Sequence, residues 1–159
     1  MAAGVARGFT LIELLVTLAI VAVLALFAAP VAEVAVQRSD EAELRRALRE
    51  IRNAIDAYKT AGDEGRIVRT VQSSGYPRSL ALLAAGVEDA KDPKHAKIYF
   101  LRRIPRNPLD SSGAEDPAEG WGKRAYASDP ADPQEGEDVY DVYVPGGGIG
   151  LNGVPYRKW

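Results

Sequence analysis

An uninterrupted apolar run near the amino terminus constrains this chain more than any other feature. From Phe9 to Ala29 every residue is apolar or small apart from two threonines and Glu13. As an α-helix, a run of about 21 residues covers roughly 31 Å, which is enough to cross the hydrocarbon core of a bilayer. The run therefore predicts a membrane-spanning helix over residues 9–29.

The charges that flank the run predict its orientation. Arg7 precedes it, and the next positive charge along the chain is Arg38. Because positive charges favour the cytoplasmic side, we expect the amino terminus in the cytoplasm and the rest of the chain on the far side. A secretory signal peptide, cut near residues 34–37, is the alternative. Against it, the run is longer than the usual apolar stretch of about 7–15 residues.

Glu13 lies inside the run, where an acidic side chain is unfavourable. A carboxylate costs about 2.5–3.5 kcal/mol at the centre of a membrane, and less near the interface. A carboxylate that reaches back to the interface is one interpretation. A carboxylate that is neutralised by a partner is the other.

The stretch "GFTLIELLV", from Gly8 to Val16, resembles the signature of type IV pilins and type II secretion pseudopilins. The resemblance implies that a prepilin peptidase cuts after Gly8 and methylates the new amino terminus at Phe9, so that residues 1–8 are a leader. Glu13 is then the fifth mature residue, where this family carries a glutamate. The Phe9 ammonium of a staggered neighbour can pair with it, and we expect this pair to set the register of a filament.

An apolar stripe predicts that the helix continues outside the membrane. Its seven members recur at spacings of three and four: Leu44, Ala47, Leu48, Ile51, Ala54, Ile55 and Tyr58. We expect an amphipathic helix over residues 30–61, with the stripe packed on the chain's own globular domain. Pro30 predicts a kink or a loosened turn over residues 26–30, and it matches a proline that pilins carry at this position.

Residues 62–159 predict a small globular domain. A short helix is expected over residues 79–85, followed by an extended or edge segment over residues 97–110. The stretches "KRAYAS" and "DVYDVYV" predict antiparallel strands. In the second stretch one face carries Tyr140, Val142 and Val144, and the other carries Val139, Asp141 and Tyr143.

The predicted fold class is therefore α+β. A long amino-terminal helix, membrane-spanning in its first half and amphipathic in its second, packs on a small antiparallel β-sheet domain. This order of elements resembles the pilin-like fold of the major, G-type pseudopilins.

Acidic residues gather in the stretch "DPADPQEGEDVYD" and offer carboxylate oxygens for a hard cation. They are Asp129, Asp132, Glu135, Glu137 and Asp138. Ca²⁺ takes about six to eight oxygen ligands, and the resemblance to G-type pseudopilins, which hold calcium in a comparable loop, suggests the same ion. The spacing matches no EF-hand. A solvated turn explains the same acids and is the interpretation that we favour, and no other cofactor is expected.

Composition argues against several classes of function. The chain has 159 residues, a net charge of −2 and no cysteine, so it has neither a general attraction to nucleic acid nor a thiol nucleophile. No nucleophile and base stand out, and we expect no enzyme. Residues 97–106 are basic and residues 107–141 are rich in acids. These segments are either ordinary solvated faces or contacts between neighbouring subunits.

The resemblance implies a mechanical function. We expect a pseudopilin that is held in the bacterial inner membrane, with its globular domain in the periplasm, until it polymerises into a pseudopilus that drives protein export by type II secretion. The implied partners are further copies of the chain, the prepilin peptidase, minor pseudopilins and the inner-membrane assembly platform. The lack of cysteine favours this function over that of a type IV pilin, whose carboxy-terminal region a disulfide commonly closes. A type IV pilin of an adhesive or motile surface fibre and a signal-peptide-bearing secreted binding module are the alternatives.

Overall fold

The computed structural model describes residues 8–70 and 72–159, with the side chains of residues 26–30 left out. The chain divides into two compact units, a first that ends at residue 39 and a second over residues 40–159. One helix, α1 (Leu11–Asp63), contributes residues to both units.

In its described residues the first unit consists of the start of α1 and the three residues before it. Helical backbone continues without a break past Pro30, so the loosening predicted over residues 26–30 does not interrupt the helix. The side chain of Pro30, and the leader apart from Gly8, lie outside the described residues. In the part of the chain that the structure describes, no helix combines the length and the apolar character that a membrane crossing requires.

The second unit is built around the carboxy-terminal part of α1. All seven residues of the predicted apolar stripe are buried, which confirms both the amphipathic helix and its packing on the chain's own domain. Leu80 and Leu83 of α2 (Leu80–Ala85), Trp121 and Val142 are buried in the same core. Burying side chains of this size contributes about 1.5–3 kcal/mol each, so this core is the main source of stability.

The short helix α2 lies where the sequence predicts it. The backbone of Ser79 is extended just before it, and Gly86 ends it with a φ of 77°. A Cβ at Gly86 would lie 2.8 Å from the ring of Tyr99. Because the left-handed backbone and the close ring both exclude a side chain, glycine is required at this position.

The β-structure forms two separate two-stranded antiparallel sheets instead of one. In the first, β1 (Val87–Glu88) pairs with β2 (Lys97–Ile98). In the second, β3 (Gly122–Arg124) pairs with β4 (Asp141–Tyr143), with Lys123 opposite Val142. The α+β class is thus confirmed, although the strands are shorter than predicted.

Two details of the predicted strands are wrong. Val142 and Val144 are buried as expected, but Val139, which was assigned to the opposite face, is buried too. Val139 precedes β4, and its N–H donates to the carbonyl of Pro77 at 2.7 Å, so the strand alternation does not extend back to it. The stretch after β3 turns away at residues 125–128 instead of continuing as a strand.

The loop after α1 is held by an ion pair. The guanidinium of Arg66 donates twice to Asp89 Oδ2, at 2.9 and 2.6 Å. These hydrogen bonds, together with one from the N–H of Lys91, lower the pKa of the Asp89 carboxyl below its ordinary value. The ionised form of Asp89 is therefore the one that holds the loop in place.

Candidate functional site

Gly8 has no structural reason to be a glycine. It is exposed, a Cβ added to it would meet no heavy atom within 4 Å, and it is not among the glycines with positive φ. Neither packing nor backbone conformation therefore excludes a side chain at this position. A requirement for glycine here would have to come from a molecule that acts on this segment.

Thr10 and Glu13 form a reciprocal cap at the start of α1. The N–H of Glu13 donates to Thr10 Oγ1 at 3.3 Å, and the N–H of Thr10 donates to Glu13 Oε2 at 3.5 Å. This is a capping box, in which two otherwise unpaired backbone donors of a helix start are satisfied. The capping box was not predicted, although a threonine followed three residues later by a glutamate, as in "TLIE", is its recognised signature.

The cap leaves most of the Glu13 carboxylate available. Its one described hydrogen bond is long, and it uses a single oxygen of a group that has about four acceptor positions. In the described residues Oε1 has no hydrogen-bond or ion-pair partner. Glu13 can therefore serve the helix start and still accept a cation from another molecule.

The helix around Glu13 exposes its apolar residues on every side. Phe9 is 77% exposed, and ten further large apolar residues between positions 11 and 24 are each more than half exposed. The hydroxyl of Thr17 is already hydrogen-bonded within the helix, since it donates to the carbonyl of Leu14 at 2.9 Å. A helix that is apolar all round is stable only when lipid or other helices cover it.

The predicted calcium ligands are distributed along a loop. Three of the acids already have partners. The Asp129 carboxylate accepts the N–H of Ala131 at 2.8 Å, the Asp138 carboxylate accepts the N–H of Tyr126 at 2.8 Å, and Glu135 lies 3.6 Å from the ammonium of Lys123. All five acids are among the described residues, and in that part of the chain no group of three or more acids or histidines is placed to hold a metal ion. The calcium site therefore stays a prediction. The five acids are Asp129, Asp132, Glu135, Glu137 and Asp138.

Like the capping box, the role of Arg52 was not predicted from the sequence. The helical pattern predicts it on the solvent side of α1, yet its side chain is only 35% exposed. Its Nε donates to Asp141 Oδ1 at 2.8 Å, and its Nη2 donates to the carbonyls of Val142 at 3.1 Å and Trp159 at 2.7 Å. Arg52 thus fastens both β4 and the carboxy-terminal residues to the helix.

Glu41, near the start of the second unit, binds the same carboxy-terminal region as Arg52. This carboxylate is 4% exposed, and its Oε1 accepts the N–H of Leu151 at 2.7 Å and the hydroxyl of Tyr156 at 3.0 Å. Glu41 also forms an ion pair at 3.5 Å with Arg45, four residues further along the helix. The glycine-rich ending of the chain is therefore a strap, residues 149–159, that is bound across α1.

Comparison with known families identifies the amino-terminal segment. Residues 5–29 match the family described as "Prokaryotic N-terminal methylation motif". No curated protein and no solved structure gave a match. The match supports a pilin-like or pseudopilin-like family, indicates a precursor of the prepilin type and suggests a membrane-anchored amino terminus. It covers the exposed apolar helix, the capping box and Gly8.

Proposed function

We propose that this chain is a pseudopilin that is cleaved between Gly8 and Phe9 and polymerises into a periplasmic pseudopilus of a type II secretion system. The observation that carries the proposal is the position of Glu13. It is an exposed carboxylate with spare acceptor capacity, five residues into the cleaved chain, on a helix whose apolar residues are uncovered in the described structure. The bundled helices of many subunits would cover that surface.

The pairing of charges explains why a carboxylate is placed there. Cleavage after Gly8 gives Phe9 a free ammonium only four residues before Glu13. In a staggered neighbour this ammonium would lie at the depth of the carboxylate. A buried charge without its partner costs about 3–5 kcal/mol, so unaligned subunits would be strongly disfavoured.

Glu13→Gln tests the pairing separately from the cap. Glutamine can also close a capping box from this position, so the helix start is kept while the negative charge is lost. We expect the variant to insert and to be cleaved normally, while filament yield in cells that carry the assembly system falls at least about tenfold. Glu13→Ala, which loses both charge and cap, should assemble no better.

Thr10→Val is the matched control. Valine has nearly the shape of threonine but cannot accept the N–H of Glu13, so the variant weakens the cap and keeps the charge. It should form filaments at close to the normal yield. Normal filaments from Glu13→Gln, or a loss in Thr10→Val as large as in Glu13→Gln, would show that the carboxylate acts only as a cap.

The proposed partners and location follow from the same function. The prepilin peptidase would process the chain, and the inner-membrane assembly platform and minor pseudopilins would start and extend the filament. The chain itself would catalyse no reaction.

A type IV pilin of a surface fibre is the nearest alternative. Locating the filaments by electron microscopy separates the two, because a pseudopilus stays in the periplasm and a pilus extends from the cell.

A further inference from the structure

The second unit carries two exposed arginines that have no partner in the described residues. Arg102 and Arg103 follow Leu101, whose N–H donates to the carbonyl of Leu83 at 3.0 Å. Two residues beyond them, the carbonyl of Pro105 accepts the indole N–H of Trp121 at 2.8 Å. The backbone is thus anchored on both sides of the arginine pair, so little backbone conformational freedom would be lost on binding.

An open cleft of about 1130 Å³ lies elsewhere in the same unit and combines an aromatic wall with a net negative charge, since its lining contains five acids and one cation, Arg78. Tyr126 is 61% exposed and stacks on Tyr76, with ring centroids 5.5 Å apart. Asp132 and Glu137 line the cleft, are exposed, and have no hydrogen-bonded or ion-paired side-chain oxygen in the described structure. We call Tyr126, Asp132 and Glu137 the acidic cleft.

The acidic cleft has a chemistry that suits a guanidinium. A planar guanidinium stacks on an aromatic face while its edge donates to carboxylates, a combination that an ammonium matches less well. The neighbouring rings already face cations: Lys59 lies 5.9 Å from the ring centre of Tyr76, and Arg124 lies 4.7 Å from that of Tyr140. Among the described residues no cation faces the ring of Tyr126.

The loop that carries the acids is already ordered. The N–H of Ala125 donates to the carbonyl of Gln134 at 2.9 Å, and the N–H of Gln134 donates to Ser128 Oγ at 2.7 Å. These bonds hold the loop without the side chains of Asp132 and Glu137. Both carboxylates are therefore available to a ligand.

We propose that Arg102 and Arg103 of one copy of this chain dock into the acidic cleft of a second copy. The charges are complementary, and in the described residues no hydrogen bond or ion pair joins the two surfaces within one chain. A contact between two different surfaces is heterologous, so it repeats from copy to copy without closing on itself. This is the kind of contact that a helical filament requires, and the inference rests on the proposed function.

Charge reversal in the full-length chain tests the contact through filament yield. Arg102→Glu with Arg103→Glu should lower the yield at least about tenfold, because attraction is replaced by repulsion. Asp132→Lys with Glu137→Lys should do the same. A chain that carries all four substitutions should regain filaments, and so should cells that produce the two defective chains together. A mere folding defect would not be rescued in either way.

The matched control is Glu64→Lys with Glu119→Lys. These acids are also exposed, and their reversal changes the net charge by the same amount as Asp132→Lys with Glu137→Lys, but outside the proposed contact. We expect a normal yield from this control. Normal yield from either reversed pair, or no rescue by the fourfold variant, would overturn the contact while the filament function stands. A cleaved wild-type chain that never polymerises would overturn the proposed function and the contact together.

Discussion

Two charged side chains on α1 join parts of the sequence that lie far apart. Arg52 binds residues 89 to 107 positions further along the chain, and Glu41 binds residues 110 and 115 positions away. Hydrogen bonds to charged groups contribute more than neutral ones, about 1.5–3 kcal/mol each. These two residues therefore have a larger effect on stability than their position on a helix surface would indicate.

Arg52→Ala should lower the free energy of unfolding of the second unit by about 2 kcal/mol, because three acceptors lose their donor. Arg49→Ala is the control, since Arg49 is exposed and has no partner in the described structure. It should change the same free energy by less than about 0.5 kcal/mol. Urea denaturation of the full-length protein in detergent, followed by tryptophan fluorescence, measures both. Equal effects of the two substitutions would show that the Arg52 contacts contribute little.

At the scale of elements, the strap over residues 149–159 depends on Glu41. Its hairpin is closed by the N–H of Gly150, which donates to the carbonyl of Val154 at 2.9 Å. The Glu41 carboxylate ties this hairpin to α1, whereas Arg52 holds Trp159 at the other end of the strap. With that tie removed, the amide of Leu151 would open to solvent more often. The hairpin of the strap should then detach locally, while Arg52 still holds Trp159 and the core of the second unit stays folded.

Hydrogen exchange at the Leu151 amide measures this directly. Glu41→Ala should speed the exchange at least about tenfold and leave the amides of residues 44–58 unchanged. Glu43→Ala, at an exposed position on the same helix turn, should have no effect. Uniform acceleration across the unit would mean that Glu41 supports global stability, and unchanged exchange at Leu151 would mean that the strap is held by other contacts.

The elements also show which parts of the fold are predictable from the sequence. Apolar residues with helical spacing predicted most of the buried face of α1, apart from Glu41 and Ala61, because the hydrophobic effect acts on a regular pattern. The separation into two sheets and the burial of Val139 were missed, since two- and three-residue strands leave too few residues for an alternation to be recognised. The long-range contacts of Arg52 and Glu41 have no local pattern in the sequence. The capping box has a recognisable pattern, Thr10 followed by Glu13. It was overlooked because both residues lie inside an apolar run that was interpreted as a membrane-spanning helix.

At the scale of the whole molecule, the two units expose different kinds of surface. In the first unit, residues 9–24 expose apolar side chains with Glu13 as the one carboxylate among them, and the second unit has its own core and exposes charged surfaces. An apolar helix lacks directional contacts, so it needs a paired charge to fix its register. In the proposed filament, Glu13 would set the register and the acidic cleft would select the neighbouring subunit.

The mature amino terminus tests this account most directly. Mass spectrometry of the protein purified from membranes of cells with a prepilin peptidase should find a chain that begins at Phe9 and carries one extra methyl group on its terminal nitrogen. A chain that begins between residues 34 and 37 would identify a signal peptide and remove Glu13 from the mature protein. A chain that retains residues 1–8 would leave Glu13 without a terminal ammonium as its partner, and either result would contradict the account.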